Sequence, residues 1–122
     1  MTAAIDWEQL PEREVIPGFH GRFAHAERMT FAMWRLDAGA VLPPHEHPHE
    51  QVVNVFSGEL ELAMHGELHR LTAGTMLVIP PGVRHEGRVI GDARVLDVFA
   101  PVREDYRDGV ASVLAGAMDA LR

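Results

Sequence analysis

Along most of the chain, apolar residues come in short runs broken by Gly, Pro and Asp at intervals of about ten residues, the rhythm of a barrel or sandwich. Met29 to Leu36 reads as a strand ended by Asp37-Ala38-Gly39, and Gln51 to Phe56 as another ended by Ser57-Gly58. Glu59 to Met64 alternates, with Leu60, Leu62 and Met64 on one face and Glu59 and Glu61 on the other. His65-Gly66 is a turn signal leading into Glu67 to Leu71. Met76 to Ile79 reads as a short buried strand stopped by Pro80-Pro81-Gly82, and Arg94 to Phe99 is apolar on both faces except for Asp97. After Pro101 the period changes. Val110, Val113, Leu114, Ala117, Met118 and Leu121 fall three or four apart, which predicts an amphipathic helix with Asp108 near its start.

The 122 residues suffice for one hydrophobic core and not for two. The expectation is one all-β domain over residues 1–122, with a barrel from about 18 to 103 and a helix from about 108 to 121. Apolar residues at 47% and charged residues at 24% argue against disorder. The formal charge is −7, and all 11 basic side chains are Arg. That sign gives no net pull toward a phosphate backbone or an anionic membrane, so neither is an expected partner. Without Cys, neither disulfides nor thiolate–metal bonds are available. Met1 to Glu14 has no basic segment followed by an apolar run, and no stretch reaches membrane-spanning length. A cytoplasmic location is the expectation.

Chemistry enters with histidine. Of eight His, three crowd into Pro43-Pro44-His45-Glu46-His47-Pro48-His49. Side chains two apart on an extended chain share a face, so His45 and His47 can grip one ion; Gln51 has the same parity and Glu50 the opposite one. Neutral imidazole is the commonest side-chain metal ligand, and an amide oxygen can complete the shell. An isolated His-x-His beside prolines is ordinarily a polar surface loop. Here a second element answers it: Gly74, five residues, Pro80-Pro81-Gly82, and then His85.

Together the two elements resemble the paired motifs of the cupin superfamily. The first is Gly39, five residues, His45-x-His47, three residues, Gln51, six residues, Gly58. The second is Gly74, five residues, Pro80-x-Gly82, two residues, His85. Two positions depart from the pattern: Gln51 replaces the usual glutamate, and Val89 stands where an asparagine usually follows. The resemblance implies an antiparallel jelly-roll-like β-barrel with one divalent transition metal held by His45, His47, Gln51 and His85. Three imidazoles and an amide leave the ion its full charge, which favours Lewis acidity and an anionic substrate. Ligand softness points to Zn, Ni, Fe, Co, Mn or Cu, and affinity is expected to fall as pH drops through roughly 6.5.

A further polar set follows. Asp97 interrupts an apolar strand, shares parity with Phe99, and precedes Arg103. One reading is a structural Asp–Arg pair. The other is a general base, an apolar wall and a cation for a substrate carboxylate. Leu96-Asp97-Val98-Phe99-Ala100-Pro101-Val102-Arg103, with His45-x-His47-Pro48-His49-Glu50-Gln51, is similar to small cupins of the KdgF type. Those proteins convert unsaturated monouronates to linear keto-sugar acids. The resemblance implies that Asp97, Phe99 and Arg103 surround a small acid or sugar-derived substrate in an isomerase or tautomerase. Alternatives are a metal-dependent dioxygenase, a polyketide-type cyclase, or a non-enzymic small-molecule-binding cupin. His49 and Glu50 stay outside the ligand set. His20, His25, His65 and His69 read as surface residues, and Trp34 and Met33 as core, with a sugar platform as a second role open to Trp34. The apolar character of both faces of Arg94 to Phe99 leads to the expectation of a homodimer.

Overall fold

The computed structural model describes residues 3–108 and 113–120. Its strands are β1 (Arg13–Ile16), β2 (Phe19–His25), β3 (Thr30–Leu36), β4 (Val41–His45), β5 (Glu50–Met64), β6 (Glu67–Thr72), β7 (Met76–Ile79) and β8 (His85–Ala100). Two helices follow, α1 (Glu104–Arg107) and α2 (Val113–Ala120). Every strand pairing is antiparallel.

The two longest strands organise the barrel because each serves two layers. The second half of β8 lies between β3 and the first half of β5, which β7 borders in turn. The first half of β8 lies between β4 and the second half of β5, with β6 beyond. The crossing from one layer to the other falls at Ser57-Gly58, where the register shifts. Gly58 has φ +81°, and a Cβ there would collide with the Asp92 carbonyl, so the bend requires glycine.

Inward positions alternate with outward ones along each strand. β3 buries Thr30, Ala32, Trp34 and Leu36, and β8 buries Val89, Ala93, Val95, Asp97 and Phe99. With Val53, Val55, Leu60 and Leu62 of β5 they form one core. Glu61 points out of the barrel, as the alternation predicts, yet it is buried. It lies level with Arg70 on one neighbouring strand and Arg88 on the other, at 3.6 and 3.4 Å.

The strands Arg13–Ile16, Phe19–His25 and Val41–His45 were not legible in the periodicity, and β8 extends nine residues N-terminal of its predicted start at Arg94. Within the expected C-terminal helix, residues 113–120 are helical as α2, and a single turn, α1, precedes it and is closed by Asp108. Val110 and Leu121, assigned to that helix from the sequence, lie outside the described residues. Leu114 of α2 is buried against the core. No helix among the described residues is long and apolar enough to cross a membrane.

Candidate metal centre

His45 ends β4, His85 opens β8 directly opposite it, and His47 lies in the loop between them and β5. The turn Pro80-Pro81-Gly82 brings the two loops together: the Gly82 N–H donates to the His47 carbonyl at 2.9 Å. Gly82 has φ +73°, a conformation that a residue with a side chain rarely adopts.

The ring orientations follow from backbone hydrogen bonds. A carbonyl can only accept, so each ring nitrogen facing one must carry the proton. His45 Nδ1–H donates to the Pro43 carbonyl (2.8 Å), His47 Nδ1–H to that of His49 (3.1 Å), and His85 Nδ1–H to that of Val83 (2.9 Å). All three Nε2 atoms are thereby left as unprotonated lone pairs. One nitrogen from each of the three rings lies within 4.8 Å of the others. All three side chains are buried.

Burial pushes the imidazoles well below their ordinary value of 6.5. His45 is lowered to about 3, chiefly by desolvation and then by the neighbouring His85. His47 is lowered to about 4, by desolvation and then by the Arg103 charge. His85 moves the same way, with burial as its main cause. The sequence places proton competition for this site near pH 6.5; in the folded chain the barrel interior displaces it to far more acidic conditions. The rings are neutral, as ligands must be.

Two atoms mark the place of a cation. His85 Nε2 is buried with no hydrogen-bond partner. Gln51 Oε1 lies 3.1 Å from His47 Nε2, so two acceptors face each other, an arrangement that a positive ion between them would make favourable. The residues present therefore fit a divalent transition metal, with three imidazoles and an amide oxygen as available donors.

Asp97 and Phe99 are buried on β8, and Arg103 is buried just beyond it. Asp97 Oδ2 accepts the Trp34 Nε1–H at 2.9 Å. Desolvation raises Asp97 from 3.8 to about 6, while the Gln51 amide, the Trp34 N–H and the Arg103 charge oppose the rise. The Gln51 approach stops short of a full hydrogen bond, and Asp97 Oδ1 has no partner. Phe99 packs edge-on to His47 with ring centroids 5.8 Å apart.

Arg103 is bound by Asp105 rather than Asp97. Its Nε–H and Nη2–H donate to the two Asp105 oxygens at 2.9 and 2.6 Å, and its guanidinium lies 4.7 Å from the Phe99 centroid and 4.2 Å from that of Tyr106. The structural Asp–Arg pair that the sequence allowed is thus realised with a different carboxylate. Sequence reasoning missed Asp105 and Tyr106. Trp34, read from the sequence as core with a sugar platform as the other role, is in the core, and its indole N–H also supplies the partner of Asp97. His49 lies beside the site, its ring 5.4 Å from that of His47. Of the remaining histidines, His20 pairs with Asp37 at 2.9 Å and His25 with Thr30 at 2.8 Å. Between Asp97, Gln51 and the apolar core is a cavity of about 40 Å³, also lined by Trp34, Leu62 and Val95. That is room for roughly one or two waters.

A β-barrel of this topology, with a histidine cluster where the turn before β8 meets the loop between β4 and β5, is a cupin. The cupin-domain pattern matches residues 32–99, and the chain belongs to that family. Its fold is similar to that of KdgF from Halomonas sp., at 29% identity and a TM-score of 0.81, covering 87% of this chain and 99% of that one. An RmlC-like cupin from Shewanella frigidimarina is comparable, at 27% identity and a TM-score of 0.80 over 87% of this chain and 96% of the other. In sequence, the chain is 31% identical over 91 residues to an uncharacterised protein of Streptomyces coelicolor, covering 74% of this chain and 87% of that protein. Oxalate decarboxylase from Bacillus subtilis, at 18% identity and a TM-score of 0.72, shares the fold alone.

Proposed function

We propose that this cupin is a metal-dependent isomerase that opens or tautomerises a small keto- or uronate-like acid, in the manner of the KdgF type. The observation that carries this reading is the convergence on one region of a neutral donor set, His45, His47, Gln51 and His85, with Asp97, Phe99 and Arg103. A divalent ion held by those donors would supply Lewis-acid polarisation of a substrate oxygen.

The remaining roles belong to the chain. Asp97 has its proton affinity lifted to about 6 by burial, within the range useful for moving a proton near neutrality. One of its oxygens is held by Trp34 and the other is free of a protein partner. Arg103 is fixed by Asp105 through Nε and Nη2, which leaves Nη1–H groups for a substrate carboxylate. Phe99 gives the guanidinium a flat apolar support and keeps water from the His47 side of the site. The deciding assay adds an unsaturated monouronate to metal-loaded protein and follows the loss of the ultraviolet absorbance of its conjugated C=C. Turnover in the wild type and none in Asp97→Asn supports the reading. Oxygen uptake by the iron-loaded protein would replace it with a dioxygenase, and ligand-induced stabilisation without turnover would replace it with a binding module.

The same reading includes a cytoplasmic homodimer. The outer surface of β3, β8, β5 and β7 carries two cross-strand rungs of mainly apolar residues, Phe31-Val98-Val52-Val78 and Met33-Leu96-Asn54-Met76. Val78 and Met76 are 45% and 62% exposed, and the other residues of the two rungs are half-buried. A second copy would bury both rungs. Sedimentation of the wild type as a dimer, and of Leu96→Arg as a monomer, tests it.

A further inference from the structure

A side-chain amide has two unlike ends, and a metal can use only the oxygen. Gln51 therefore serves as a ligand only when its amide is held the right way round. The imidazole end does not hold it so before an ion arrives. There the unprotonated His47 Nε2 faces Gln51 Oε1 at 3.1 Å, acceptor against acceptor, and a turned amide would donate its N–H to that nitrogen instead. The restraint comes from the other end. Asp97 is buried, its Oδ2 accepts the Trp34 indole N–H at 2.9 Å, and its Oδ1 is buried without a partner. A turned amide would bring the Gln51 oxygen against that carboxylate.

We propose that Asp97, held in place by the Trp34 N–H, is the positioning residue that keeps the Gln51 amide oxygen aimed at the metal. Strand register puts the two side chains within reach. Val53 lies opposite Asp97 and Gln51 opposite Phe99, so Gln51 and Asp97 are diagonal neighbours on the inner face of two paired strands. The arrangement also accounts for an amide at position 51. A carboxylate there would share a dry pocket with Asp97, and two adjacent carboxylates in such a pocket oppose each other. Asp97 Oδ1 has two lone pairs, so it can accept the Gln51 N–H and still receive a substrate proton. Trp34 acts through Asp97, and Asp97 acts through Gln51. The proposal rests on Gln51 being a ligand, as proposed above.

Cobalt(II) alone, titrated into metal-free protein, reports both affinity and ligand set through its visible d–d bands. In Asp97→Asn, the one amide oxygen faces the Trp34 N–H, so the end that faces Gln51 is an NH2 donor. The Gln51 amide then turns, the bands move to those of Gln51→Ala, and Kd rises about 10- to 100-fold. In a Gln51→Glu background, position 51 presents oxygen at either end, so adding Asp97→Asn leaves the bands in place. Loss of the Asp97 charge lowers affinity in both backgrounds, which makes band position the discriminating readout. Trp34→Phe removes the indole N–H together with part of the ring and shifts the bands partway in the same direction. Wild-type bands in Asp97→Asn, or equal band shifts in both backgrounds, would overturn the proposal while leaving Gln51 a ligand. Wild-type bands in Gln51→Ala would remove Gln51 from the ligand set and the proposal with it.

Discussion

Replacing Asp97 by asparagine takes an ionisable group out of a buried position, and the structure gives the sign and size of the effect. Burial raises Asp97 from 3.8 to about 6. A carboxyl group whose folded value lies above its unfolded value favours the fold when protonated. Its contribution is fully present below about 4 and is lost as pH rises through about 6. Above that, the folded chain carries a buried charge whose penalty is on the order of 3 kcal/mol. Asparagine removes the charge and still accepts the Trp34 N–H. Without metal, the Gln51 amide is free to turn. Its oxygen can then accept from the amide introduced by the substitution while its N–H donates to His47 Nε2, so that every group in the row has a complementary partner. Metal-free Asp97→Asn should therefore be more stable than the wild type by about 1–3 kcal/mol at pH 7.5, a rise in Tm of roughly 4–10 °C. The difference should shrink toward zero by about pH 4. Urea denaturation of both proteins in chelator, followed by tryptophan fluorescence at several pH values, measures it. A variant less stable than the wild type at pH 7.5, or an advantage that persists unchanged into acid, would refute the reasoning.

Three further outcomes follow from the site. Metal content near one ion per chain in the wild type should vanish in the His45→Ala/His47→Ala double variant, as measured by elemental analysis; unchanged content would place the ion elsewhere. The metal-free wild type should lose stability as pH falls below 6.5. The unfolded histidines take up protons there, whereas folded His45 and His47 refuse them until about 3 and about 4. One pH unit below 6.5 the loss is about 1.4 kcal/mol for each ring, or about 3 kcal/mol for both, and a flat urea midpoint between pH 7.5 and 5.5 would contradict it. Asp105→Ala leaves Arg103 buried without its bidentate partner, so KM for an acidic substrate should rise several-fold and stability should fall by about 3 kcal/mol. Steady-state kinetics beside thermal melts separate the two effects.

What could be read from the sequence was whatever rests on local spacing. Gly39, Gly74 and Gly82 mark the turns that close strands and Gly58 the bend within β5, because a backbone of positive φ is a local event. The alternation of Leu60 and Leu62 with glutamates marks a strand for the same reason. Phe19–His25 carries Arg22 and two His among its apolar residues, and Val41–His45 carries two prolines, so neither has a clear period. They become strands because β3 and β8 offer open edges to pair with. The partners of the functional side chains were hidden for a different reason. Trp34 meets Asp97 across 63 residues of sequence, through a register that only the folded sheet defines. Asp105 is two residues from Arg103, close enough to suspect, but its bidentate geometry depends on the turn of α1.

The neutral Gln51 and the buried Asp97 are best understood together. The cupin pattern the chain otherwise follows places a carboxylate at position 51, in contact with the ion, where it partly neutralises the metal. In the proposed centre the neutral amide of Gln51 would take that place, and the negative charge sits one residue-layer away on Asp97, its diagonal neighbour across the paired strands. The displaced charge would still offset a bound ion electrostatically across a dry interior, where such interactions are weakly screened. Because it is not itself a ligand, it keeps an oxygen with an available lone pair. A carboxylate bound to the ion would have its proton affinity pulled far down by the metal. Asp97, one layer back, would feel the ion less strongly than a ligand does, and in the metal-free chain its burial raises it to about 6. Moving the charge outward by one side chain thus turns a spectator ligand into a candidate proton carrier, and the substitution at Gln51 is the condition that permits it.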